Sequence, residues 1–311
     1  MTQRTPNTFV VGAGPVATSL AGGLRLGGVP VLGLWARNGQ AARVAGSTSG
    51  VAAFSAAPPD LLLEADVVVL AVRDDAIAEV AEKLVGTGLI TRKHVLLHCS
   101  GASSAETVFS SVKEKVGGVA TMHPLRSLPE AQQSMRSLAG TTFGIEGDER
   151  GVLEALALVE AVEGSALRLD GNQMVLYHAA AAMASNFLVA LLDVAGTVIS
   201  KAGIEKEKGV AALVSLAQGT LDSVRERGCE GALTGPIQRG DVNTVAKHLE
   251  ALPPVPLEVY RLLGRQVLAL AKQGNPPTDI ERLEVAWSEL AKLLGSPVNQ
   301  GTTRVSGRNA L

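Results

Sequence analysis

The chain has few of the side chains that mark secreted, metal-binding or nucleic-acid-binding proteins. Of its 311 residues only two are cysteines, Cys99 and Cys229, too far apart for a metal or redox motif. Aromatic residues make up 3%, which argues against base-stacking surfaces, and the net charge of −2 attracts neither nucleic acid nor an anionic membrane. We therefore expect a protein of the reducing cytoplasm, without disulfides, metal, nucleic-acid or membrane partners.

The apolar content is high, and its pattern changes along the chain. Apolar residues account for 46% and charged residues for 19%, enough for large cores in a chain with room for two domains. Short apolar strands alternate with helices in the first half, which indicates an α/β fold with a doubly wound, mainly parallel sheet of about eight strands. We predict a Rossmann domain over 1–169, an all-α bundle for substrate binding and dimerisation over 170–295, and a disordered tail over 296–311.

A dinucleotide fingerprint follows the first predicted strand, Thr8–Val11. The sequence Gly12-Ala13-Gly14-Pro15-Val16-Ala17 has the form G-x-G-x-x-A and opens an amphipathic helix. The first glycine of this motif permits a tight turn, and the second lets the backbone approach a pyrophosphate at the positive end of the helix. The alternative is a structural turn that binds nothing, since the chain contains 34 glycines.

The end of the second predicted strand indicates which dinucleotide binds. An NAD site usually places an acidic residue about 20 residues after the fingerprint. This chain has no acidic residue before Asp60, and Ala36-Arg37-Asn38 stands at the expected position. Because a guanidinium pairs well with a 2′-phosphate, we predict NADP(H). The alternative is that Arg37 is an ordinary solvated residue.

Further cofactor contacts are predicted at two other strand ends. The carboxyl ends of parallel strands share one edge of the sheet, where ligands of doubly wound folds bind. The contacts predicted there are Ala71, Val72, Arg73, Ser100 and Gly101. His123 follows another strand and reaches the same edge, either as a catalytic residue or as a turn residue that only packs.

A long apolar helix is predicted over Gln173–Lys201. Such a helix usually runs through the middle of a bundle or across a dimer interface, and we predict a homodimer. His178, Ser185 and Asn186 lie seven and eight residues apart, which places them near one face. That face either lines a ligand pocket or packs internal polar partners. The most apolar part, Ala179–Ala195, reads as a buried core helix rather than a membrane span.

A turn between two later helices concentrates polar side chains. The sequence from Leu233 to Asp241 contains Thr234, Arg239 and Asp241. Functional residues often lie on such loops, and we list these three as substrate-binding candidates. The alternative is a Gly-Pro turn in which Asp241 caps the next helix.

The order of these parts resembles the β-hydroxyacid dehydrogenase-like superfamily, which includes 6-phosphogluconate dehydrogenase, ketopantoate reductase, pyrroline-5-carboxylate reductase and prephenate dehydrogenase. More closely, the chain resembles a bacterial family that joins a Rossmann-like NADP-binding domain to a C-terminal domain of unknown function. The resemblance lies in the stretches GAGPVA, DVVVLAVRDDAI, HCSGASSAE, MHPLRSL, YHAAAAMASNFLVALL and LTGPIQRGD.

The resemblance implies reduction of a carbonyl or imine by NAD(P)H, or the reverse reaction. Several relatives place a Lys and an Asn on the first long helix to handle the substrate hydroxyl. Asn186 matches the Asn, but residues 173–200 contain no lysine. His178 is the strong acid/base candidate on that helix.

The predicted chemistry is proton donation to the oxygen or nitrogen that receives a hydride. A histidine near its ordinary pKa of about 6.5 suits that role, which favours His178 and His123. Ser185 and Asn186 are predicted to hydrogen-bond the substrate oxygen, and Arg239 to hold a substrate carboxylate or phosphate. The sequence thus predicts an NADP(H)-dependent oxidoreductase of a small, anionic metabolite. The alternative is an NADP(H)-binding sensor or scaffold without turnover.

Overall fold

The computed structural model describes residues 5–128, 138–273 and 280–295. The chain divides into two compact units, residues 1–185 and 186–311. The first unit therefore includes a helix that follows the predicted domain boundary at residue 169. The predicted disordered tail, residues 296–311, lies outside the described residues.

One sheet forms the centre of the first unit. Its strands are β1 Thr8–Val11, β2 Val31–Ala36, β3 Ala53–Ser55, β4 Val67–Leu70, β5 Val95–His98, β6 Gly118–Pro124, β7 Thr142–Gly147 and β8 Ser165–Arg168. Their order in the sheet is β3-β2-β1-β4-β5-β6-β7-β8. Neighbouring strands are parallel except for β6 and β7, which are antiparallel. The predicted mainly parallel, doubly wound sheet is confirmed.

Six α-helices of the first unit lie in the described residues: α1 Pro15–Leu26, α2 Gly39–Ser49, α3 Ile77–Gly86, α4 Ala105–Val108, α5 Glu149–Ala161 and α6 Met174–Ala184. Side chains of the connecting loops start several of them. The Asn38 carboxamide oxygen accepts from two N–H groups at the start of α2, and the Asp148 carboxylate accepts from the Gly151 N–H in α5. Residues Asp60–Glu64 form a short 3₁₀ helix.

Apolar strand residues alternate between the two faces of the sheet. On β4, Val68 and Leu70 pack with the α3 residue Ile77, whereas Val67 and Val69 pack with residues of α1 and α5. All four β4 side chains are fully buried. This two-sided burial explains why the strand reads as a continuous apolar run, as expected for a parallel strand covered on both faces.

The second unit is helical. Its described helices are α7 Asn186–Lys201, α8 Lys206–Ala232, α9 Val242–Ala251, α10 Pro254–Gln273 and α11 Ile280–Leu294. Gly228, with φ +71° and ψ 174°, interrupts α8. Trp287 is buried, and its indole N–H donates to the Ile237 carbonyl at 3.0 Å, which ties α11 to the loop after α8.

The long helix predicted over Gln173–Lys201 is present, with a kink at Ser185. Helix α6 ends at Ala184 and α7 begins at Asn186. Between them the Ser185 N–H still donates to the Ala181 carbonyl at 3.0 Å, but its φ of −113° and ψ of −75° depart from ideal helix values. Together the two helices form an apolar helix over Gly171–Lys201.

The apolar residues of α6 and α7 are mostly exposed. Among the described residues, Gly171–Lys201 is long and apolar enough to cross a membrane by length and composition. The mean hydropathy of its most apolar window is 1.8, and only 6% of that window is buried. Leu176 is 76% exposed, Phe187 60% and Val189 67%. The expectation of a buried core helix is wrong for the single chain.

An open apolar cavity of about 830 Å³ lies within the second unit. Residues of α7 and α10 form much of its wall, including Val194, Val198 and Val259. At one side the His248 Nδ1 and the Tyr260 hydroxyl are hydrogen-bonded at 3.0 Å. The helical unit thus leaves apolar surface uncovered both on its helix faces and in this cavity.

Candidate functional site

The two fingerprint glycines meet different surroundings. Gly12 has φ +135°, and a Cβ there would lie 2.2 Å from the Ala71 carbonyl oxygen at the end of β4. At Gly14 a Cβ would meet no atom within 4 Å. The fold therefore requires glycine at position 12, whereas position 14 leaves open space at the start of α1.

That open space is suited to a phosphate group. Gly14 is the N-cap of α1 and offers no side chain to the free N–H groups of the first turn. Pro15 occupies the first helical position, where its missing N–H leaves no group unpaired. The turn therefore fits a dinucleotide pyrophosphate, which a helix N-terminus and a backbone without Cβ accept together.

The β2–α2 junction carries two arginines. Ala36 ends β2, and Arg37 is exposed directly after it. The Asn38 side-chain oxygen caps α2 at 2.9 Å from both the Gln40 and Ala41 N–H groups, so this predicted cofactor contact is engaged in the helix cap. Arg43, on the first turns of α2, lies beside the same junction.

The loops after β4 and β5 contact each other at the same edge of the sheet. Arg73 is one of the predicted cofactor contacts. Its exposed guanidinium forms an ion pair with the Asp75 carboxylate, two residues along the chain. The Ser100 hydroxyl is buried and donates to the Asp74 carboxylate at 2.7 Å. Both carboxylates lie in the one-turn helix after β4.

Gly101 brings two histidines together. The imidazole rings of His123, on β6, and His178, on α6, have centroids 5.7 Å apart and planes at 78°. A Cβ on Gly101 would lie 2.6 Å from His178 Nδ1 and 2.9 Å from His123 Nε2. Both rings therefore close onto the loop after β5 because this residue has no side chain.

Tyr177 joins this cluster. Its hydroxyl is hydrogen-bonded to His123 Nδ1 at 2.9 Å. The ring packs over Gly144, the register partner of His123 on β7, where a Cβ would lie 2.7 Å from the hydroxyl. Tyr177 was not among the predicted site residues. Two features point to it: Tyr177 directly precedes His178, and a glycine, Gly144, lies opposite His123.

The pKa of His123 differs from the ordinary histidine value that the sequence led us to expect. Burial, together with the neighbouring His178, lowers the pKa of His123 to about 4. Burial raises the pKa of Tyr177 above its ordinary value. Both groups are therefore neutral at pH 7.

The predicted face of His178, Ser185 and Asn186 does not form on one helix. Ser185 is the residue at which α6 stops, and Asn186 is the first residue of α7 in the second unit. All three residues are exposed. The helical spacing that grouped them is therefore interrupted between the first and the last.

The polar turn of the second unit is largely structural at Asp241. Its carboxylate accepts from the Thr244 N–H at 3.1 Å and from the Thr244 hydroxyl at 2.7 Å, so it caps α9. These bonds hold the pKa of Asp241 below its ordinary value. Thr234 and Arg239 are exposed in the loop between α8 and α9.

Comparisons with known proteins match two parts of the chain. Residues 8–97 match the family model described as NADP oxidoreductase, coenzyme F420-dependent, and residues 141–267 match a domain of unknown function, DUF2520. Among curated proteins none matches.

Solved structures are similar over most of the chain. Protein TM1727 from Thermotoga maritima is 24% identical, with a TM-score of 0.67 over 86% of this chain and 98% of that one. A pyrroline-5-carboxylate reductase from Coxiella burnetii is 17% identical, with 0.57 over 94% and 100%. An imine reductase from Pseudomonas sp. is 16% identical, with 0.58 over 91% and 99%. These likenesses establish the fold: a Rossmann unit followed by a helical unit.

Proposed function

We propose that this chain is an NADP(H)-dependent oxidoreductase that reduces a carbonyl or imine of a small, anionic metabolite, or catalyses the reverse. The observation that carries the proposal is the contrast between Gly12, which the fold requires, and Gly14, which borders open space. A glycine that no protein atom demands, at a helix N-terminus, suits a pyrophosphate. The match of residues 8–97 to an NADP oxidoreductase family model supports the proposed function. We further propose that the chain belongs to the β-hydroxyacid dehydrogenase-like superfamily.

The choice of NADP(H) rests on Arg37. Its guanidinium is exposed at the end of β2, where a carboxylate would hydrogen-bond the ribose of NAD. Arg43 lies on the adjacent turn and adds a second positive charge. Both groups suit a 2′-phosphate, which a carboxylate would repel.

The chemistry combines a dinucleotide with the cluster around Gly101. When bound, the nicotinamide supplies or accepts a hydride. His178, which is exposed beside the loop after β5, would supply the proton, and the neutral His123, hydrogen-bonded to Tyr177, lies beside it. The roles of Ser185 and Asn186 toward the substrate, and of Thr234, Arg239 and Asp241, stay predictions.

The experiment is a titration of the purified protein with NADPH and NADH. We expect NADPH to bind more tightly, and Arg37→Asp to weaken NADPH binding by at least about tenfold while Arg37→Ala has a smaller effect. Gly14→Ala should fold normally and lose affinity for both dinucleotides. The matched control is Gly86→Ala at the end of α3, where a Cβ also meets nothing within 4 Å.

Absence of binding in the wild-type protein would refute the proposal. Equal loss in Gly14→Ala and Gly86→Ala would mean that the open space at the turn has no part in binding. Tight NADH binding that survives Arg37→Asp would refute the NADP preference alone.

A second candidate is an NADP(H)-binding sensor without turnover. The absence of lysine from residues 173–200 favours it, since the resemblance leads us to expect a lysine there. His178→Ala separates the two candidates in a screen of carbonyl and imine substrates. Loss of turnover with retained NADPH binding supports the enzyme, whereas a wild-type protein that binds NADPH and turns over nothing supports the sensor.

The proposal includes a homodimer in the cytoplasm. Phe187 and Val189 on α7 are mostly exposed, and the cavity in the second unit is apolar. Single soluble chains rarely leave apolar patches of this kind uncovered. A second copy of the chain, which presents the same apolar helices, would cover them.

A further inference from the structure

Three polar residues lie side by side in the buried sheet of the first unit. Register pairs His98 on β5 with Thr121 on β6, and Thr121 with Glu146 on β7. His98 and Thr121 are fully buried, and Glu146 is 7% exposed. Because buried polar groups cost free energy unless they are hydrogen-bonded, this row needs a complete set of partners.

The hydrogen bonds of the row run in one direction. The Ser100 backbone N–H donates to His98 Nδ1 at 3.2 Å, so that nitrogen carries no proton. The proton of the neutral ring is then on Nε2, which donates to the Thr121 hydroxyl oxygen at 3.1 Å. The Thr121 hydroxyl donates in turn to the Glu146 carboxylate at 3.2 Å.

Both ends of the row hold the loop after β5. Glu146 also accepts from the Ala105 N–H at 2.8 Å, where α4 begins. At the other end Ser100 gives its N–H to His98 and its hydroxyl to Asp74. Residues 99–104 are therefore fixed at each end, and Gly101 lies between the two attachment points.

Stability by itself does not account for the row. Apolar side chains of similar volume in a buried site usually stabilise a fold as well as a charged network does. The neighbouring positions on these strands, Leu97 and Ala120, are apolar. The polar residues instead occupy the three positions that reach the loop beneath the two histidines.

We propose that His98, Thr121 and Glu146 are positioning residues that fix the loop 99–104, so that Gly101 meets His123 and His178 and the loop is preorganised for a dinucleotide. The dinucleotide part rests on the proposed function. The positioning of the loop does not, since it follows from the hydrogen bonds within the first unit.

The first test measures the wild-type protein alone. Nitrogen-15 NMR of the His98 ring, assigned with a His98→Gln variant, should show a neutral ring with the proton on Nε2. A ring protonated on Nδ1, or one protonated on both nitrogens at pH 7, would overturn the proposed direction of the row.

The second test removes one hydroxyl. Thr121→Val keeps the shape of the side chain but cuts both of its bonds, Thr121→Ser restores them, and Thr142→Val removes a hydroxyl whose partner, Ser165, is exposed on β8. We expect amide hydrogen exchange of residues 100–105 to rise about tenfold or more in Thr121→Val, and NADPH affinity to fall about tenfold. Both should return toward wild type in Thr121→Ser and stay unchanged in Thr142→Val.

The outcomes separate this inference from the proposed function. Unchanged loop exchange in a folded Thr121→Val protein overturns the inference, whatever the affinity for NADPH. If hydrogen exchange of the loop increases in Thr121→Val but the wild-type protein binds no dinucleotide, the proposed function is refuted and the positioning role is supported. If Thr121→Val does not fold, the tautomer of the His98 ring in the wild-type protein decides.

Discussion

The two units of this chain differ in how completely they bury their apolar side chains. In the first unit the β4 residues from Val67 to Leu70 are all fully buried. In the second unit Phe187, Leu216 and Leu262 remain 60%, 68% and 61% exposed. The sheet of the first unit is buried on both faces within one chain, whereas α6 and the helical unit leave large apolar side chains exposed. The stabilities of the sheet and of the helical unit should therefore depend on different variables.

Each unit contains one tryptophan, which makes the difference measurable. Trp35 on β2 and Trp287 on α11 are both 3% exposed, and the chain has no other tryptophan. Trp287→Phe leaves a fluorescence reporter of the first unit alone, and Trp35→Phe leaves one of the second.

The largest expected change in the free energy of unfolding is for a substitution at Gly12 in the first unit. Gly12→Ala forces a Cβ against the Ala71 carbonyl at an unfavourable φ, and it should lower the free energy of unfolding by more than about 3 kcal/mol. Urea unfolding followed by Trp35 fluorescence measures the loss. Gly14→Ala serves as the control and should change the same quantity by less than about 0.5 kcal/mol. Similar losses in both variants would show that the two glycines are not distinguished by their surroundings.

A smaller effect on the first unit should follow from pH. Burial lowers the pKa of His98 and of His123 to about 4, and lowers that of His94 as well. Between pH 6.5 and 4 the unfolded chain binds more protons than the folded one, so stability is lost as the pH falls. The loss should reach about 3 kcal/mol for His98 alone.

Urea unfolding at a series of pH values, followed by Trp35, measures that slope. His98→Gln should flatten it, even though the variant starts from a lower stability. A transition whose midpoint stays constant from pH 6.5 to 4 would contradict neutral, buried histidines in the folded unit.

The smallest effect on monomer stability, and the largest on assembly, is expected from α7. Phe187→Glu should shift sedimentation from dimer to monomer while changing the Trp35 transition by less than about 0.5 kcal/mol. The urea midpoint of the Trp287 transition, followed in the Trp35→Phe protein, should rise with protein concentration, because a partner that binds only the folded state stabilises it. Leu153→Glu, at an exposed site on α5, is the matched control.

Two other results would change the comparison. A wild-type protein that sediments as a monomer at micromolar concentration would refute the second copy as the cover of α7. Binding to lipid vesicles that Phe187→Glu abolishes would identify a membrane surface as the cover instead.

The sheet could be predicted from sequence because its signals are local. Runs such as Val67–Leu70 are apolar and mostly β-branched, and turn residues separate them, so strand number and class follow from periodicity. The spacing of the motif identifies Gly12 and Gly14 and indicates their different roles. It does not reveal that the Ala71 carbonyl excludes a side chain at Gly12, because Ala71 is distant in sequence.

The parts that sequence did not reveal depend on distant contacts or on weak local signals. Ser185 stands in an alanine-rich segment with no Gly or Pro to mark the break between α6 and α7. Apolar composition does not distinguish a helix buried in its own core from one left uncovered. His98, Thr121 and Glu146 become one row only when three strands align in register.

The open space beside Gly14 predicts which substitutions a library of variants would tolerate under selection for folding and under selection for cofactor use. Selection for folded, abundant protein should accept many residues at Gly14, since no protein atom lies where the side chain would go. Selection for cofactor-dependent growth should accept few. Gly12 should be intolerant in both selections, so comparing the two scores at each position would map the ligand surface of this fold without knowledge of the substrate.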